Sequence, residues 1–225
     1  MKSKVGLFIT MLIRGLLAFA LLGFLLFLSA GTLIYMAAWR LIFALAALML
    51  AMGIVLLTKH PETLEKRAKT KETEPAQKAY VFISTLMFPL TFILSGLDFR
   101  FGWSQLPHRV ELAALAVMIL GYALFAAVIL QNAYTSRVVE IQEGQTVIST
   151  GVYSVVRHPM YLSSLLLFLA MPVALGSLFA LLPMLFLPVV TVLRIKNEEA
   201  VLLSGLEGYA EYMEKTKYRL IPYIW

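Results

Sequence analysis

Long apolar runs alternate with short polar breaks along this chain, and the placement of the breaks predicts its elements. A helix needs about 20 mostly apolar residues to cross a bilayer. The first such run covers Leu12 to Ala30, and the second covers Leu33 to Leu57, with Trp39 and Arg40 near its start. The short link at Gly31 makes these two an antiparallel hairpin. Residues 58–78 form a solvated loop of mixed charge. A third run spans Ala79 to Leu97, where Pro89 predicts a bend, and a fourth spans Val110 to Gln131.

Beyond Gln131 the pattern changes. A polar stretch, NAYTSRVVEIQEGQTVISTGVYSVVRHP, contains two segments, VVEIQ and QTVIST, that alternate as strands do. They predict a small hairpin around Glu143–Gly144. From Met160 to Arg194 the chain is apolar again, and Pro172 and Gly176 are expected to split this run into two short, tightly turned or re-entrant helices of about 15 residues each. In the tail, Leu203, Leu206, Tyr209, Ala210, Tyr212 and Met213 recur at helical spacing. That face suits a helix lying on the membrane or covering a site. The whole pattern predicts an all-α integral membrane protein with a C-terminal helical hairpin. Residues 1–131 supply four transmembrane segments, and residues 132–225 form a second, more polar region.

Composition narrows the classes of function. The chain has 225 residues, 14% of them charged, against about 25% in soluble domains. It has no cysteine, which excludes disulfides, thiolate zinc sites and cysteine nucleophiles. His60, His108 and His158 are scattered and suggest no metal site. The basic N-terminus resembles a signal peptide, but its apolar run is too long and lacks a clean small-residue cleavage site. It reads as a retained first helix. The net charge of +6 fits loop lysines and arginines rather than nucleic-acid binding. With a cytoplasmic N-terminus, sixteen of the nineteen Lys and Arg fall inside. The positive-inside rule favours that orientation. Both termini and both polar stretches, 132–158 and 197–225, are then expected on the cytoplasmic side.

Two constellations carry candidate chemistry. In Arg157-His158-Pro159-Met160-Tyr161, proline marks the first helical position. His158 then stands at the helix entry and Tyr161 on a neighbouring part of the same face. Free N–H groups and Arg157 make that entry attractive to an anion. A Pro-capped helix start with an interfacial arginine explains the same residues without any function. In Arg194-Ile-Lys-Asn-Glu198-Glu199, Arg194 and Glu198 are four apart and able to pair. Two adjacent carboxylates at a membrane helix end are functional candidates, unless the helix simply emerges into water there. Asp98, Arg100 and Trp103 read as interface anchors, Glu111 as a complement to a helix dipole, and Arg14 as a snorkelling cation.

The order of the motifs is more specific than any one of them. The series VISTGVYSVVRHPMYLSSLLL, LGS, LRIKNEE and LEGYAEYMEKTKYRLIPYIW resembles the isoprenylcysteine carboxyl methyltransferase family. That family belongs to a membrane methyltransferase group that includes phospholipid N-methyltransferases. The similarity covers about residues 131–225, and LDFRFGWS and NAYTS upstream look like prokaryotic members. The resemblance implies a bundle of about five to six transmembrane helices in a prokaryotic inner membrane, with a cytoplasm-facing pocket for S-adenosylmethionine. It implies that His158 and Tyr161 contact the cofactor, that Gly151, Val152 and Tyr153 border it, and that Glu198 or Glu199 holds its charged end. The tail, with Tyr212, would cover it, and Arg157 and Arg194 would orient the substrate. The expected partners are membrane lipids and a lipophilic or lipid-attached acceptor. For a carboxylate acceptor no general base is needed, whereas an amine acceptor would call on Glu198 or Glu199 as base. An NADPH-dependent membrane reductase and a small transporter are the competing readings. The short chain disfavours the first, and few polar residues inside segments one to four disfavour the second.

Overall fold

The computed structural model describes residues 4–63, 75–135 and 141–225. Its main helices are α1 (Lys4–Ala30), α2 (Met36–Lys59), α3 (Pro75–Phe101), α4 (His108–Gln131), α5 (Pro159–Ala174), α6 (Leu181–Met184), α7 (Phe186–Gly205) and α8 (Tyr209–Lys215), with a 3₁₀ turn at Gly151–Ser154. The all-helical class expected from the sequence is borne out. The expected hairpin at Glu143–Gly144 is a turn only: Gln145 N–H donates to the Gln142 carbonyl at 3.0 Å, and the described residues contain no strand. Part of its first arm lies outside the described residues. The second arm has a different use, because its residues line a cleft described below.

The 24 residues of α2 rise about 36 Å at 1.5 Å each, more than the roughly 30 Å of a bilayer's hydrocarbon layer. By length and composition, Leu12–Ala30, Met36–Lys59 and His108–Gln131 are long and apolar enough to cross a membrane, and α5 is a shorter apolar helix. Leu16, Leu17, Phe24 and Leu28 of α1 point outward, as lipid-facing side chains do. The core is built from Leu26, Tyr35, Ala38, Leu41, Met118 and Met171.

Two glycines let helices approach closely. A Cβ at Gly96 of α3 would lie 2.6 Å from the Leu26 carbonyl of α1, and one at Gly121 of α4 would lie 2.8 Å from the Leu167 nitrogen of α5. Small residues at such crossings favour tight packing in membranes.

The apolar run after Met160 breaks at residues 175–180, at the expected Gly176, while Pro172 stays within the helix. Pro172 sits inside the last turn of α5, where its carbonyl accepts from Ser177 N–H at 3.0 Å, while Gly176 N–H donates to the Val173 carbonyl at 2.9 Å. With Gly176 at φ +81° this is a Schellman ending. The helices on either side have 16 and 20 residues, because α7 continues past the apolar run through Arg194 and both glutamates.

At this break Asp98 departs from the expected anchoring role. It is 1% exposed and accepts from Ser104 N–H at 2.6 Å, Ser104 Oγ at 2.7 Å and Ser177 Oγ. Nearby, Tyr35 donates to the Leu175 carbonyl. Glu111, in the first turn of α4, pairs with Arg40 of α2 and lies 3.1 Å from His108 Nδ1. These contacts tie α2, α3, α4 and the α5–α6 link together at one end of the bundle.

Candidate active site

The other end of the bundle holds the two motifs. Proline at the first position of α5 leaves His158 as a non-helical entry residue, and the tail crosses that entry. Arg157 N–H donates to the Tyr218 carbonyl at 2.9 Å and His158 N–H to the Arg219 carbonyl at 2.8 Å. Both are buried, at 6% and 5% exposure, and Glu199 is buried at 3%. Glu199 Oε1 accepts from Arg157 Nε at 2.8 Å and faces His158 Nε2 at 3.2 Å, while Oε2 accepts from Arg219 Nε at 2.7 Å. Arg157 spends further donors on the carbonyls of Thr216 and Lys217, at 2.7 and 2.9 Å. A buried ion cluster persists only when its charges are paired and its donors satisfied, and this one meets both conditions. Burial would push the Glu199 carboxyl up. The hydrogen bonds from His158, Arg219 and Arg157 outweigh that and hold it down at about 2.

One residue earlier on α7 the chemistry differs. Tyr161 OH donates to Glu198 Oε2 and accepts from Arg194 Nε at 3.0 Å. Arg194 and Glu198, expected to pair, share the Tyr161 hydroxyl. These three side chains border a cleft together with Arg157, His158, Met160, Tyr153, Tyr209 and Tyr212. Val201, Leu202 and Leu206, with Val147 and Ile148, give it apolar walls, and Asn132, Thr135, Gln145 and Thr146 give it a polar one. Among the residues that border it, Glu198 is the one carboxylate. The cleft holds two buried hydroxyls, Thr135 Oγ1 and Tyr209 OH, with no hydrogen-bond partner among the described residues. Burial, with Glu199 and Glu198 close by, pushes the Tyr209 phenol up, and burial does the same at Tyr212.

The sequence-predicted residues separate into three groups. Tyr153, His158, Tyr161, Arg194, Glu198 and Tyr212 come together around the cleft. Arg157 borders it too, but its guanidinium is committed to Glu199 and the tail. Glu199 is turned into the buried cluster and is not among the residues bordering the cleft. Gly151 and Val152 are not among them either. They sit on the 3₁₀ turn, where Val152 N–H donates to Gln131 Oε1 at 3.2 Å, so they position Tyr153. From there Tyr153 receives Asn132 Nδ2 at its hydroxyl, at 3.0 Å, and Tyr212 OH at its carbonyl, at 2.7 Å.

Sequence reasoning missed Arg219, Asn132, Thr135 and Tyr209 as site residues. Gln131-Asn132 at the exit of an apolar helix was a usable signal, since polar amides there need partners. Arg219 gave none, because it lies twenty residues from its carboxylate.

The family model for phospholipid methyltransferase matches residues 110–206. The match runs from α4 through α7 and takes in both motifs, leaving the tail outside. It bears out the resemblance to the membrane methyltransferase group for this segment. The apolar helices and this match support a membrane protein with a segment similar to phospholipid methyltransferases. No curated protein sequence matches the chain.

Proposed function

We propose that the chain, whose residues 110–206 match the phospholipid methyltransferase family model, transfers a methyl group from S-adenosylmethionine to a lipophilic or lipid-attached acceptor at this cleft. The observation that carries the reading is the position of Glu198: a carboxylate at a cleft ringed by five tyrosines, Tyr134, Tyr153, Tyr161, Tyr209 and Tyr212. A carboxylate and aromatic faces are what a cationic ligand needs. Partnerless hydroxyls and the amide of Asn132 suit the polar nucleoside portion, and the leucines suit an apolar neighbour. The residues present therefore fit the donor. When bound, it supplies an activated methyl group on a sulfonium.

The protein's task is then alignment and exclusion of water. Glu198, fixed by Tyr161, holds the positive end. Arg194, on the same hydroxyl, orients an anionic acceptor. Arg157, His158 and Glu199 act as supports that fix the entry of α5 and the tail. Carboxyl O-methylation needs no base, because the acceptor is already ionised at neutral pH.

A second reading has one observation in its favour. Glu199 is held ionised and enclosed, which leaves Glu198 as the carboxylate able to receive a proton from an ammonium acceptor. An amine-bearing phospholipid fits that arrangement. In either reading the positive-inside rule favours a cleft that faces the cytoplasm.

The test is to incubate the purified chain in nanodiscs with methyl-labelled S-adenosylmethionine and extracted membrane lipids. Labelled product is then separated and identified by mass spectrometry as a species heavier by one methylene. Transfer to an acid supports the first reading and transfer to an amine the second. No transfer to any lipid, together with no binding of S-adenosylhomocysteine, contradicts both.

A further inference from the structure

The C-terminal turn packs its inner face on the entry of α5 and on Glu199. Its outer face is organised for another contact. Leu220 and Ile221 N–H donate to the Trp225 carbonyl at 2.9 and 3.1 Å, and Trp225 N–H donates back to Ile221 at 3.1 Å. The Tyr218 and Tyr223 rings lie 5.2 Å apart, and Arg219 sits 5.2 Å from the centre of the Trp225 ring. This closed turn holds Tyr223 at φ +65°, a left-handed conformation that costs a bulky residue energy. Its effect is to turn Tyr223 and Ile224 outward, at 88% and 77% exposure.

Beside this lip runs a shallow groove bordered by Ser154, Val155, Lys215, Lys217, Tyr218 and Pro222. The groove has two cations and no acid. Glu211 and Glu214 of α8 do not border it. Its level relative to the bilayer follows from two backbone bonds. Tyr218 and Arg219 are joined to Arg157 and His158, immediately before the apolar helix α5. The groove therefore lies where the chain enters the membrane. Tyrosine, tryptophan and lysine beside exposed aliphatic side chains at that level are the composition of a headgroup contact.

We propose that this groove and its lip seat the headgroup of an anionic phospholipid in the leaflet beside the cleft. Lys215 and Lys217 take the phosphate, and Tyr223 and Ile224 enter the acyl boundary. The contact is coupled to the site, because the carbonyls of Thr216 and Lys217 clasp Arg157. A lipid held here keeps the tail closed over the buried cluster. The proposal does not rest on methyl transfer.

Because the chain has no cysteine, Ile224→Cys accepts a single environment-sensitive fluorophore in the full-length protein. Glu143→Cys, in an exposed turn, serves as the aqueous reference, and Leu90→Cys, exposed on α3, serves as the lipid reference. In nanodiscs, the label at 224 is expected to emit to the blue of the label at 143 and to be quenched by lipid brominated near the headgroup. Both signals should grow as phosphatidylglycerol replaces phosphatidylcholine. Lys215→Gln/Lys217→Gln should remove that lipid dependence while leaving the melting temperature unchanged. A label at 224 that reports water in every lipid overturns the proposal and points to a soluble partner or open solvent. A lipid signal indifferent to phosphatidylglycerol, or indifferent to the double substitution, overturns the anionic assignment.

Discussion

The two ends of the bundle are closed by polar clusters built from similar side chains, and they differ in saturation. At one end, Asp98 is fully occupied by Ser104 and Ser177. At the other, Glu199 is equally occupied, while its neighbour Glu198 borders a cleft that holds buried hydroxyls with no partner among the described residues. A buried polar group in a membrane protein therefore has two meanings. Satisfied on all sides it is a fastening, and bordering a cleft with partners to spare it is a binding site.

This contrast is open to attack by substitution. The largest expected effect on activity is from Glu198→Gln, which should lower methyl transfer by at least ~100-fold with little change in melting temperature. A comparable loss of stability and activity would put Glu198 with the fastenings. Glu199→Gln should do the reverse in kind. Leaving Arg157 buried and short of its counter-charge costs about 3–5 kcal/mol, read as denaturant sensitivity of the purified protein. Asp98→Asn, at the far end, should cost about 1–3 kcal/mol and leave the affinity for S-adenosylhomocysteine unchanged. Tyr161→Phe removes one hydroxyl shared by Arg194 and Glu198, and should weaken that affinity by roughly tenfold.

The smallest effect is that of pH. Glu199 titrates at about 2 in the folded chain, below its ordinary value near 4.5. Its stabilising contribution is therefore complete above pH 4.5 and lost as pH falls towards 2. The melting temperature of wild type should exceed that of Glu199→Gln by a constant margin from pH 8 to 5, and the margin should shrink below 4.5. A margin that already falls between pH 8 and 6 would show another group in control.

Much of this architecture was legible in the sequence, for physical reasons. Apolar runs of bilayer length are hard to hide, so α2 to α4 were placed within a few residues, and α1 ends at the expected Ala30 but begins at Lys4, ahead of the apolar run. Pro159 fixed the start of α5 because only the first turn tolerates a missing N–H. Pairing across long separations was not legible. Nothing in local spacing brings Arg219 to Glu199 or Ser177 to Asp98, and nothing tells two adjacent glutamates apart. They differ because they lie about 100° apart around α7, one towards the cleft and the other towards the tail. Of the two residues expected to end α5, Gly176 supplies the stop, while Pro172 is accommodated inside the last turn.

Equilibrium binding of S-adenosylhomocysteine to the purified wild-type chain, to Glu198→Gln and to Asp98→Asn, with NADPH as the competing ligand, bears most directly on the cleft. Wild type and Asp98→Asn should bind alike, Glu198→Gln should bind at least ~10-fold more weakly, and NADPH should not compete. Equal binding by all three proteins, binding by none, or displacement by NADPH would contradict a methyl-donor site at Glu198.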